Sequence, residues 1–220
     1  MMGLLRLFAG LLLLPSCWAA GAALVGLVSS SVGLGVSSIS FLGGIAAFSL
    51  VWIFASHPVK TYVLGHELTH ALWGLLFGAR PSKLKVRSTG GSVNLTKSNL
   101  LITLAPYFFP FYTFLVLTAA AVTSFFVRPL PALPAWVFAI GFTWAFHVLF
   151  TVQSLGRRQP DVQIYGRIFS WTFIFLANVL LVMAGVAVAT GFGFMPSVRL
   201  AHSSLVCAYS SVWRFAAPFF

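Results

Sequence analysis

Residues 57–78 have the sequence HPVKTYVLGHELTHALWGLLFG. Pro58 suits the first turn of an α-helix, and Gly78 with the nearby Pro81 is a helix stop signal. Residues 59–77 lie between these signals, and at 1.5 Å per residue they span about 28 Å. That length just crosses the hydrocarbon core of a bilayer, which is about 30 Å thick. The stretch therefore predicts a helix of membrane-spanning length.

The composition of the whole chain is that of a membrane protein. Hydrophobic residues make up 60% of it and charged residues only 7%, with a mean hydropathy of +0.99. Soluble domains carry about 25% charged residues, so too few charges are present to cover a surface in water. The net charge of +11 does not indicate nucleic-acid binding, because no basic stretch alternates with aromatic residues in a polar setting. Such cations typically mark cytoplasmic loops and contacts with anionic lipids.

The apolar stretches predict an all-α membrane protein, a polytopic bundle of about six transmembrane helices. Residues 1–56 form an N-terminal hydrophobic region with one or two spans, and its start also has the pattern of a secretory signal or signal anchor. Residues 57–190 form a membrane core, and residues 191–220 an apolar tail that is either a short span or an interfacial segment. The six expected spans are residues 4–28, 39–55, 59–77, 100–127, 135–155 and 168–190.

One segment of the core differs from the rest. Residues 79–98 carry five Lys or Arg side chains, at positions 80, 83, 85, 87 and 97. Apolar residues alternate with polar ones on both sides of Gly90-Gly91. This period of two around a glycine pair predicts a short β-hairpin directly after the first core helix. The cations indicate the cytoplasmic side.

The helix predicted over residues 59–77 contains the motif His66-Glu67-Leu68-Thr69-His70, an HExxH pattern. Residues i and i+4 share one helix face, so the two imidazoles can bind one zinc ion with Zn–N bonds near 2.0–2.1 Å. Glu67 can take a proton from zinc-bound water. HExxH also occurs by chance, but here its polar side chains would lie near mid-membrane, where burial without a partner is costly. A metal site is the better interpretation.

The third ligand of such a site stays open from the residues alone. Glu67 and Asp161 are the only acidic residues of the chain, so a second glutamate ligand does not exist. The candidates are Asp161, His147, His57 and His202. His147 lies at a depth like that of His70, and it could be a ligand, an oxyanion donor or a histidine bonded between helices. His57 is interpreted as a helix-start residue and His202 as an interfacial one.

The motif, the basic glycine-containing hairpin, two further spans and an aspartate after a proline together resemble the site-2 protease family of intramembrane zinc metalloproteases. The resemblance covers about residues 65–166. It implies zinc as cofactor, His66 and His70 as ligands, Glu67 as the catalytic residue, and Asp161 of Gln159-Pro160-Asp161 as third ligand. It also likens residues 83–95 to the family's membrane-dipping hairpin. No sorting domain is inserted, so the chain would be a minimal member.

The resemblance implies hydrolysis of peptide bonds within transmembrane segments of other membrane proteins, by a multi-pass protein that we expect in the plasma (inner) membrane of a bacterium. An unwound substrate could pair with the hairpin by β-strand addition. One alternative is a metal-ion or proton transporter that uses the same His, Glu and Asp side chains. Another is a non-catalytic relative that binds membrane helices. The lipid bilayer is the other expected partner, and nucleic acid is not one.

Overall fold

The computed structural model describes residues 2–217, and this part of the chain is mostly helical with one two-stranded antiparallel sheet. The helices before the sheet are α1 (Met2–Leu12), α2 (Leu14–Ser31), α3 (Val36–Phe54) and α4 (Val59–Leu76). The strands are β1 (Pro81–Arg87) and β2 (Gly90–Leu95). The remaining helices are α5 (Leu100–Phe108), α6 (Phe111–Phe126), α7 (Leu133–Leu155), α8 (Pro160–Tyr165), α9 (Arg167–Thr190) and α10 (Phe194–Ala216).

Four helical segments are long and apolar enough to cross a membrane, which confirms the prediction of an all-α membrane protein at this level. They are Gly3–Ser31, Val36–Phe54, Leu133–Leu155 and Arg167–Thr190. α5 and α6 meet the same criterion only together, with a bend of 76° between them, and would make a fifth. α4 is not among these segments, because its charged and histidine side chains lower its mean hydropathy. The count of about six spans stays a prediction.

Leu34–Gln159 form one of two compact units of the chain. In this unit α3 and α7 approach each other through glycines. A Cβ at Gly44 would overlap the carbonyl oxygen of Phe138 and lie 2.7 Å from the amide nitrogen of Phe142, and a Cβ at Gly141 would overlap the carbonyl oxygen of Phe41. Small residues permit such close helix packing inside a membrane. An aromatic core continues from this contact through Phe48, Ala145, Phe146 and Phe150.

The stretch predicted as one interrupted span, residues 100–127, is two helices joined by a sharp bend. Phe109 has extended backbone angles (φ −97°, ψ 104°) because the following Pro110 disfavours the helical region for it. α5 is short and deeply buried, with every residue from Ile102 to Phe108 inside the protein. Its first turn is capped by Asn99, whose Oδ1 accepts a hydrogen bond of 2.9 Å from the amide of Ile102. This capped, buried helix packs against α4 and so borders the motif.

The predicted β-hairpin is present, but its turn lies two residues earlier than the glycine pair. Arg87 pairs with Gly90, so Ser88 and Thr89 form the turn and both glycines belong to β2. The register shifts between Ser82 and Lys85, where the strands form an irregular bulge. The pair Gly90-Gly91 therefore serves a purpose other than turn formation.

The second unit comprises Met1–Gly33 and Pro160–Phe220, described here for the residues within 2–217. α2, α9 and α10 pack around a core of Ala23, Leu27, Val179 and Met183. α8 is a short helix in the stretch that the sequence analysis took as a polar loop, and it is tied to α9 by the buried Ser170, whose hydroxyl donates to the carbonyl of Val162 at 2.9 Å. The tail forms the long helix α10, which does not meet the criterion for a span. The division of the sequence at residues 56 and 190 stays a prediction.

Candidate metal centre

The motif lies on α4, and flanking residues define both ends of this helix. At the start, the amide of Tyr62 donates to the carbonyl of Pro58 at 3.1 Å. At the end, Gly78 adopts a positive φ of +72°, which a glycine reaches at little cost. The amide of Ala79 then donates back to the carbonyl of Gly74 at 2.8 Å. The prediction of 59–77 for this helix therefore differs from the observed Val59–Leu76 by one residue.

His66 and His70 lie one helical turn apart on the same face of α4. Their ring centroids are 4.9 Å apart, with an angle of 79° between the ring planes. Both side chains are half-buried, whereas Glu67 between them in sequence is buried, with 7% of its surface exposed. Two imidazoles in this arrangement can converge on one ion.

The imidazole of His70 is oriented by the backbone of α5. Its Nδ1 lies 2.9 Å from the carbonyl oxygen of Ile102. A carbonyl oxygen only accepts hydrogen bonds, so Nδ1 carries the proton and donates it. Nε2 of His70 is then the atom that can bind a metal, which is the usual arrangement for a histidine ligand. The Asn99 cap that fixes Ile102 therefore also contributes to orienting this ring.

His66 is bordered by a hydroxyl pair. The phenol oxygen of Tyr62 lies 3.4 Å from Nδ1 of His66 and 2.8 Å from Oγ of Ser154 on α7. The Tyr62 ring stacks on Phe150 at a centroid distance of 4.6 Å and an interplanar angle of 6°. This packing holds the phenol in place beside His66. A polar partner on the second ring nitrogen supports a histidine ligand in the same way as the Ile102 carbonyl does for His70.

Glu67 lies against β2 at Gly91. A Cβ at Gly91 would be 2.8 Å from both Cγ and Oε1 of Glu67 and 2.6 Å from Cγ1 of Val63. Any side chain at this position would therefore collide with the carboxylate. The absence of a Cβ at residue 91 lets the hairpin backbone lie directly on the carboxylate, which excludes bulk solvent from that side of it.

Asp161 is the second residue of α8. One ligand atom from each of His66, His70 and Asp161 lies within 4.8 Å of the other two. This group could hold a metal ion, and Asp161 is the candidate that the structure places with the two histidines.

The donor set fits a transition metal such as zinc. A tetrahedral zinc with bonds of 2.0–2.1 Å separates its ligand atoms by about 3.4 Å, so binding needs side-chain shifts of about 1 Å. Two imidazole nitrogens and one carboxylate oxygen suit zinc among several divalent ions, and three protein ligands leave one coordination position open. Zinc itself stays a prediction.

His147 of α7 is buried and lines a small cavity together with His66, Tyr62 and Thr143. The cavity has a volume of about 20 Å³, which is room for about one water molecule. Among the described residues His147 does not belong to the group that could hold an ion. Its alternative roles as a ligand or an oxyanion donor stay predictions.

The two remaining histidine candidates lie elsewhere. His57 precedes α4, where its ring stacks on Trp52 at 3.9 Å and its Nε2 lies 3.0 Å from the Trp52 carbonyl oxygen. His202 is exposed on α10. Within residues 2–217, neither joins the group of His66, His70 and Asp161.

Three supporting features of the site were absent from the sequence analysis. They are the Ile102 carbonyl behind His70, the Tyr62–Ser154 pair behind His66, and the contact of Gly91 with Glu67. Tyr62 had a detectable signal, since it lies four residues before His66 and therefore on the same helix face. The other contacts depend on tertiary packing that no local pattern encodes.

We compared the chain with protein-family models, with curated proteins and with solved structures, and none of these matches it. The likeness to the site-2 protease family therefore depends on the motif and on the residues around it.

Proposed function

We propose that the protein is an intramembrane zinc metalloprotease that hydrolyses peptide bonds within transmembrane segments of other membrane proteins. The observation that supports this most is the group of His66, His70 and Asp161, with the buried Glu67 in the HExxH position beside the two histidines. The fold is that of a membrane protein, so the substrate class follows from where such a site would lie. As before, we expect the plasma membrane of a bacterium.

When bound, zinc would supply a Lewis acid that polarises the peptide carbonyl and acidifies a water molecule. Glu67 has the chemistry of the general base and acid. Its carboxylate takes a proton from water as the new C–O bond forms, and it passes that proton to the amine as the C–N bond breaks. The products are one carboxylate and one amine, so water is the only co-reactant. Gly91 helps to keep the carboxylate in place and away from bulk solvent.

The hairpin is the proposed place for an unwound substrate. Its two strands form a two-stranded sheet, so each strand has one edge without a strand partner in the sheet. An extended segment could add to such an edge through backbone hydrogen bonds. The Gly91 contact shows how close β2 comes to Glu67. A Val93→Pro variant should then lower cleavage more than it lowers zinc content, compared with Val93→Ala; the reverse order would rule this role out.

The proposal is tested with the full chain reconstituted in liposomes together with fluorescent single-span test proteins whose spans contain helix-breaking residues. We expect zinc-dependent cleavage by the wild type, loss of cleavage on chelation, recovery on adding zinc, and no cleavage by Glu67→Gln. Mass spectrometry of the fragments should place the cut inside the span.

The transporter alternative predicts a different result in the same liposomes. Zinc or proton flux through the wild type, altered by Glu67→Gln and without any cleavage, would contradict the protease and support a carrier. Bound zinc with neither cleavage nor flux would leave the non-catalytic binder.

A further inference from the structure

A groove with two arginines opens in the unit formed by the N-terminal and C-terminal parts of the chain. It has a volume of about 580 Å³ and lies between the first turns of α1 and α9. Arg6 and Arg167 line it together with apolar side chains, among them Leu7, Ile168 and Trp171. No acidic side chain of the described residues lines it. The groove is therefore cationic with apolar walls.

A close helix contact holds the two arginines at this place. A Cβ at Gly10 of α1 would lie 2.8 Å from the amide nitrogen of Phe169 on α9, so the helices touch here. Arg6 lies one turn before Gly10 on the same face of α1, and Arg167 lies two residues before Phe169. Because the contact needs a glycine, it fixes which turns of the two helices face each other.

Both guanidinium groups are held by contacts that leave hydrogen-bond donors over. Arg6 donates to the carbonyl of Ile164 and lies 5.2 Å from the ring centroid of Tyr165. Arg167 lies 5.0 Å from the Trp171 ring. A guanidinium has five N–H donors in a planar fork that matches a phosphate, and a ring contact uses none of them. The pair is thus oriented and can still bind an anion.

The surroundings decide which anion this is. The helices that begin at the groove belong to the segments Gly3–Ser31 and Arg167–Thr190, both long and apolar enough to cross a membrane. The exposed Leu7, Ile168 and Trp171 continue from the arginines along these helices. Acyl chains cover such side chains, whereas a free phosphate does not. An acidic partner for a choline ammonium is missing from the groove lining, which favours a headgroup with net negative charge.

We propose that this groove binds an anionic glycerophospholipid, with the phosphodiester on Arg6 and Arg167 and an acyl chain along the apolar wall. Paired arginines favour phosphate through charge-assisted, bidentate hydrogen bonds. This binding site is separate from the proposed hydrolysis, and its test does not use catalytic activity.

The test is native mass spectrometry of the full chain in detergent, titrated with phosphatidylglycerol or phosphatidylcholine of identical acyl chains. We expect the wild type to bind phosphatidylglycerol about tenfold or more tightly, as two arginines near an anionic headgroup should give. Arg6→Gln/Arg167→Gln should lose this preference. The matched control Arg199→Gln/Arg214→Gln removes two exposed cations of α10 and should keep it.

Two further arms keep the outcome decisive. Arg6→Lys/Arg167→Lys keeps the charge but loses the planar fork, so its preference should fall between those of the wild type and the glutamine variant. Inorganic phosphate should fail to displace the lipid at millimolar concentration. Equal binding of the two lipids by the wild type would overturn the proposal, even if the glutamine variant fails to fold. So would an unchanged preference in that variant, or displacement by phosphate alone.

Discussion

α3 and α4 are consecutive in the chain and nearly equal in length, with 19 and 18 residues, yet they differ in almost every other respect. α3 is apolar throughout and buries little besides Gly44 and Phe48. α4 is too polar to meet the hydropathy criterion for a span, and the residues it buries include Glu67 and Thr69. In an apolar chain, a helix that departs from the common composition is the one to examine for chemistry.

Glycines make the same contrast at the level of single contacts. Gly44 of α3 permits the backbone of another helix to approach, whereas Gly91 permits a strand to lie on the carboxylate of α4. The first contact determines packing, and the second determines the position of a reactive group. We therefore expect substitutions around α3 to change stability, and those around α4 to change chemistry.

The largest expected effect is that of Glu67→Gln. The amide cannot accept the proton from water, so the rate of peptide hydrolysis should fall by about 10²–10⁴-fold. Zinc content and thermal stability should stay near those of the wild type, because the amide has the same shape and Glu67 is not among the proposed ligands. A clear loss of folded protein would show that α4 is a structural helix after all.

Gly44→Ala should destabilise the fold by about 1–3 kcal/mol, since the new Cβ overlaps the carbonyl oxygen of Phe138. Unfolding in mixed micelles measures this. The adjacent Gly43→Ala is the control, because its Cβ would lie 3.7 Å from the nearest atom of the Phe138 side chain, an ordinary contact. Similar stabilities of the two variants would contradict the packing described for α3 and α7.

Gly91→Ala should lower hydrolysis by about tenfold with zinc content unchanged, because a displaced general base loses part of its 10²–10⁴-fold contribution. The measurement is kcat beside metal content. Ser92→Ala, at the next and exposed position of β2, is the control and should be silent. Normal activity in Gly91→Ala would mean that the hairpin does not position Glu67.

Tyr62→Phe should have the smallest effect, a loss of about tenfold in zinc affinity, at the low end for residues that support a ligand. Competition with a chelating dye measures this affinity. Tyr112→Phe removes a comparable hydroxyl, which donates to the Thr61 carbonyl instead of lying beside His66, and should leave affinity unchanged. Equal affinities in the two variants would remove Tyr62 from the account.

Local signals predicted much of this fold because they act over a few residues. Pro58 and Gly78 gave the limits of α4 to within one residue, and alternation gave the hairpin. The glycine pair was assigned to the turn because glycine is common there, whereas Gly91 is needed for its contact with Glu67. The bend at Phe109 and Pro110 had a proline signal, but its angle depends on the burial of α5.

Long-range contacts were beyond such signals. Ser154 lies 92 residues from Tyr62 along the chain, and the Ile102 carbonyl lies 32 residues from His70. Asp161 was assigned through a family resemblance and not through spacing, since four side chains had competed for the third ligand position. The length of α10 was missed because its apolar residues are interrupted by serines and arginines throughout.

The most direct test of the metal centre is the zinc content of the purified full chain, measured for the wild type, Asp161→Ala and His147→Ala after zinc has been offered. We predict about one zinc per chain in the wild type, as in other catalytic sites with three protein ligands. Zinc should be lost in Asp161→Ala and retained in His147→Ala. A wild type without zinc, or loss of zinc with His147 instead of Asp161, would contradict the account.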